Sequence, residues 1–139
     1  MKDPTHEIMK AYYDALNGNV TYDGDDIYVG TKIPSDEKNY IYIYVESLQD
    51  KGSGTQTIFE AIVTMDIVTR LDLNSGNEEM INDITDQVIG IVTDVDQLSF
   101  TNFQCLLSQL YGMDRNSENT DTDYITSRKL RIKNFIQQI

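Results

Sequence analysis

The sequence predicts an α+β domain: an antiparallel or mixed β-sheet built on a long central hairpin, flanked by an N-terminal helix and one amphipathic helix at about 75–95. Three observations lead there. Tyr40 to Val45 alternates strictly, with Ile41, Ile43 and Val45 on one side and Tyr40, Tyr42 and Tyr44 on the other, which is the period of a strand. Thr57 to Leu71 alternates again after Gln49-Asp50-Lys51-Gly52-Ser53-Gly54, a short stretch whose glycines suit a hairpin turn. Met80, Ile81, Ile84, Val88, Ile91, Val92 and Val95 then recur at helical intervals, forming one apolar stripe.

In chain order, Asp3 is placed to cap a helix and Pro4 to occupy its first turn, where a missing N–H costs nothing. Ile8, Met9, Tyr12, Tyr13 and Leu16 make its buried stripe, Glu7, Lys10 and Asp14 its wet side, and Gly18 its stop. Val20 to Tyr22 and Ile27 to Val29 read as two small strands around the turn Asp23-Gly24-Asp25-Asp26. Pro34 and the polar run Ser35 to Asn39 interrupt the chain before the hairpin. In the second hairpin strand Phe59, Ala61, Val63, Met65 and Ile67 face the core, while Glu60, Thr64, Asp66 and Arg70 share the other side with Ile58, Ile62 and Val68. The following helix is expected to start at Asn74 or Ser75, with Glu78 and Glu79 near its positive end. Phe100 to Leu110 fits strand or helix, Asp114 to Asp123 reads as a mobile polar loop, and Tyr124 to Ile139 as a last strand. Residues 1–139 are expected to form a single domain.

Charge narrows the function classes. Acidic residues number 23 against 11 basic ones, for a formal net charge of -12. Such a surface repels duplex nucleic acid, whose binding rests on Lys and Arg neutralising phosphates, and anionic membranes for the same reason. No apolar run approaches the roughly 20 residues of a membrane helix. The opening stretch lacks a signal-peptide pattern, and the lone Cys105 cannot form an intrachain disulfide, so a reducing cytoplasmic setting is expected.

Catalytic chemistry finds little support. His6, the one histidine, falls in the first turn of a helix, and no partner residue accompanies it in the pattern. Cys105 lies in an apolar segment, where cysteine behaves as a small hydrophobe. Asp23-Gly24-Asp25-Asp26 and Asp121-Thr122-Asp123 offer oxygen ligands without the spacing of a calcium loop. The expectation is a non-enzymatic protein with no cofactor and no dedicated metal site. Asp66 beside Glu60 marks a wet surface, a subunit contact or a channel wall.

Arg128, Lys129, Arg131 and Lys133 crowd the last strand of an otherwise acidic chain. They read either as charges that blunt a sheet edge or as the basic half of a subunit interface. Tyr40, Tyr42 and Tyr44 fit the same interface, since tyrosine buries area while keeping a polar tip; cover by the N-terminal helix is the structural alternative.

The order of these segments resembles the tail-completion proteins of tailed bacteriophages, which include the tail-terminator and head-to-tail joining (neck) families. The likeness rests on the strand Tyr40 to Ser47, the long strand Thr57 to Thr69, the helix that follows, and the close Arg128-Lys129-Leu130-Arg131-Ile132-Lys133. It implies a virion structural subunit, assembled in the host cytoplasm into a ring of about six or twelve copies. Its partners would be other copies of itself, the connector or portal-side neck proteins and the tail-tube protein, with DNA passing through unbound. In that setting Asp50, Lys51, Asp114, Arg115, Glu118, Asp121 and Asp123 belong to docking loops. The competing reading is a small acidic module of the cytoplasm that binds a ligand or a cation.

Overall fold

In the computed structural model, which describes residues 2–75 and 77–139, helix α1 spans Thr5–Leu16. The Asp3 carboxylate accepts from the Thr5 amide at 2.9 Å, and Gly18 takes the left-handed φ of 78° that ends the helix. Strands β1 (Thr21–Tyr22) and β2 (Asp25–Asp26) form a miniature hairpin. Its turn is Asp23-Gly24, both at positive φ, so Asp25 and Asp26 belong to the returning strand. Then come β3 (Tyr28–Gly30), β4 (Tyr40–Asp50), β5 (Ile58–Asp72), helix α2 (Glu79–Val92), β6 (Phe103–Asn119) and β7 (Asp123–Gln138).

The five long-sheet strands lie in the order β3-β4-β5-β7-β6. All neighbours are antiparallel except β3 and β4. The last strand therefore inserts between β5 and β6 and becomes the centre of the sheet. The predicted hairpin is β4–β5, closed by a turn that needs Gly52. A Cβ there would strike the Gln56 carbonyl oxygen and lie 2.9 Å from the Ile58 nitrogen.

Both helices pack on one face. Ile8, Tyr12 and Leu16 of α1 and Ile81, Ile84, Val88 and Val92 of α2 are buried in a single cluster. Opposite them stand Ile41, Ile43, Ala61, Val63, Met65, Ile67, Leu130, Ile132 and Ile136. Each such aliphatic side chain contributes about 1.5–3 kcal/mol. Met9 and Tyr13, predicted in the buried stripe of α1, are partly and largely exposed instead, and Ala11 takes the inward position. Glu7, predicted wet, accepts from the amides of Thr101 and Asn102 and from the Asn102 side chain, each at 2.9 Å.

Two boundaries differ from expectation. The second helix is shorter than 75–95, because Leu73–Ser75 form a 3-10 turn and Asn77 accepts from the Glu79 amide at 2.9 Å, setting the start. Gly76, within the predicted span, lies outside the described residues. The predicted loop 114–123 is strand through Asn119, with a tight turn over residues 120–122. There the Thr120 hydroxyl accepts from the Asp123 amide at 2.9 Å. Pairing along β7 organises this polar segment despite its composition.

Candidate functional site: the helix-free face and the open edges

The face of the sheet away from the helices carries the side chains singled out by sequence. Its rows follow from the strand register. Tyr42, Asp66, Lys129 and Asp114 form one; Tyr44, Thr64, Arg131 and Gly112 form the next. Both helices lie on the other side, so α1 does not cover the tyrosines. They stand partly exposed, with the Tyr42 and Tyr44 rings 5.1 Å apart.

The basic residues of β7 divide between two faces. Arg128 does not belong with an exposed strip, because alternation turns it toward the helices, where it is 1% exposed. Its guanidinium meets Glu78 and Asn82 of the α2 entrance, both at 3.2 Å. Lys129, Arg131 and Lys133 do lie on the free face, where partners come mainly from their own chain. Arg131 holds Asp114 at 2.7 Å and Glu46 at 3.3 Å. Lys133 reaches Glu60 at 3.4 Å and sits 4.5 Å above the Tyr111 ring. Glu60 also takes Lys51 at 3.5 Å. Burial pushes the Asp66 carboxyl above its usual range, against the pull of nearby Lys129 and Arg131. A cleft of about 330 Å³ opens here, bounded by Tyr40, Tyr42, Asp66, Asp114, Arg115 and Lys129.

The remaining predicted docking residues fall at the ends of strands. Asp50 closes β4 and accepts from the Gly52 amide at 2.9 Å. Asp114, Arg115 and Glu118 are in β6, Asp121 is in the β6–β7 turn, and Asp123 opens β7, 3.7 Å from Arg70. The 49–56 and 114–123 segments are thus hairpin ends in place of long loops.

His6 is exposed on α1. The Cys105 thiol is half-buried, pushed up in pKa by desolvation, and donates to the Leu107 carbonyl at 3.4 Å. Among the described residues, no cluster of three or more His, Cys, Asp or Glu side chains is arranged to hold a metal ion.

Sequence reasoning missed the edge strand β6. Leu106, Leu110, Tyr111 and Met113 are all exposed on it. The signal was present in Leu110-Tyr111-Gly112-Met113, an apolar stretch set directly before a polar one.

No protein-family model matches the chain, and no curated protein does. In fold, the chain is similar to one from a solved structure described as the virion of a native gene transfer agent particle. The TM-score is 0.74 at 10% identity, covering 94% of this chain and 95% of that one. At that identity the likeness is one of fold, and it extends over nearly the whole α+β architecture.

Proposed function

We propose that this chain is a structural subunit of a phage-like virion, acting without catalysis as a ring at the head–tail junction. There it would serve as a tail-terminator, tail-completion or neck protein that joins connector to tail. The observation that carries the reading is the whole-chain fold likeness to a component of a gene-transfer-agent virion. Two features of the molecule support it. The helix-free face presents three tyrosines and a charge lattice already balanced within the chain, a surface ready for contact without large desolvation of lone charges. The unbalanced acid lies on the exposed side of α2, at Glu79, Asp83 and Asp86. That helix, more than Glu60 and Asp66, suits a wall past which DNA slides without sticking.

The test is a premature stop early in this reading frame, in cells that produce the particle. The reading predicts filled heads and tails that fail to join, or tails of uncontrolled length, in electron micrographs. Normal, functional particles lacking this chain would contradict it. The ligand-binding alternative predicts intact particles and a saturable small-molecule or calcium site on the purified protein.

A further inference from the structure

We propose that neighbouring copies join head to tail by adding the β6 edge of one copy to the β3 edge of the next, so that the ring is one continuous sheet; this rests on the ring reading above. The two strands are the opposite open edges of the five-stranded sheet. An open edge presents a row of unpaired backbone N–H and C=O groups, and natural proteins usually blunt it with lysine, proline or bulges. On β6 both register irregularities fall before Gly112. From Gly112 to Asn119 the strand pairs regularly with β7 and contains neither lysine nor proline.

Register and direction both favour the contact. Tyr28 is level with Tyr40, Val68, Ser127 and Asn116, and Gly30 is level with Tyr42, Asp66, Lys129 and Asp114. The short β3 edge therefore stands at the same height as Asp114–Asn116 on the far side. Following the pairings across the sheet, β6 runs antiparallel to β3. A second copy placed alongside, with its strands pointing the same way, thus presents β3 to β6 in the antiparallel sense. Rotation about an axis roughly along the strands keeps that sense and closes a ring.

The side chains match as well. Of nine exposed large hydrophobics, Leu106, Leu110, Tyr111 and Met113 lie on β6, while Tyr13, Tyr28 and Ile33 flank β3, so apolar surface concentrates at the two edges that would meet. Beside β3 a groove of about 360 Å³, lined by Tyr13, Tyr28, Val29, Gly30, Thr31 and Lys32, has room for a side chain the size of Met113. Charge is complementary. Among the described residues, Glu118 and Asp121 at the β6–β7 end have no ion pair within the chain, and neither do Lys32 and Lys38 in the segment after β3. All four are exposed.

Sedimentation of the full-length protein across a wide concentration range tests the contact. Glu118→Lys/Asp121→Lys and Lys32→Glu/Lys38→Glu are each expected to raise the concentration needed for assembly by about tenfold or more. An equimolar mixture of the two variants restores assembly, since each then meets opposite charge on both sides, and the recovery shows that both are folded. Variants that assemble like the wild type, or a mixture that stays dissociated, overturn this contact and leave the ring reading standing. A wild-type chain that remains monomeric throughout removes both the contact and self-assembly.

Discussion

Arg128 reaches the interior from the central strand, with its guanidinium held by Glu78, whose side chain is 46% exposed, and by Asn82. The two partners differ in what their loss leaves behind. Removing the arginine leaves a carboxylate that water can hydrate, whereas removing the carboxylate leaves a cation buried without its counter-charge. Glu78→Ala is therefore expected to cost about 2 kcal/mol and Arg128→Met under about 1 kcal/mol, read as shifts in the urea midpoint. Asn134 poses a related problem in a neutral setting. It is fully buried, accepts from the Tyr12 hydroxyl, and donates to the Leu107 carbonyl at 3.2 Å beside the first irregularity of β6. Asn134→Ala orphans both groups and is expected to cost about 2–3 kcal/mol. Glu7 supplies the acid sensitivity of this region. Partial desolvation raises its pKa, but hydrogen bonds from Asn102 and Thr101 outweigh that and hold it below the ordinary 4.5. A depressed carboxylate stabilises the fold above its unfolded pKa and loses that contribution as pH falls. Glu7→Gln should accordingly flatten the loss of stability below about pH 4.5, measured by urea titration at stepped pH.

At the scale of the element, α2 carries one inexpensive improvement. Gly90 sits inside the helix, and a Cβ there meets nothing within 4 Å. Gly90→Ala is expected to stabilise by about 0.5–1 kcal/mol, raising the thermal midpoint without touching assembly. The elements most legible in the sequence were those with a clean period. The alternation of Tyr40–Val45 and of Phe59–Ile67 predicted the hairpin and both of its faces, and the stripe from Met80 to Val92 predicted the second helix. Limits were less legible, because they depend on single hydrogen bonds such as Asn77 to the Glu79 amide. The distal half of β6 was illegible for a different reason. DRNSEN has the composition of a loop, and only pairing along β7, a neighbour later in the chain, makes it strand. The same non-locality hid Arg128: its place in a basic run was plain, while its burial depended on where α2 begins.

For the molecule as a whole, the arrangement is a two-layer body with helices on one side and long sheet edges left open. The sequence-level expectation of one basic interface strip gives way to internal pairing of Arg131 and Lys133 with Asp114, Glu46 and Glu60, and the unsatisfied surface moves to the edges. What the fold likeness and these edges support together is a part that functions in multiples. Charge follows the same logic. Glu79→Lys/Asp83→Lys/Asp86→Lys should leave subunit mass unchanged yet make the protein retard duplex DNA at low salt, an effect lost as salt rises. The most direct measurement is the number of copies of this chain per purified particle, counted against the major capsid protein by quantitative mass spectrometry. A single ring, about six or twelve copies, is the predicted result; absence from the particle, or copies in the hundreds as for a shell or tube protein, would contradict it.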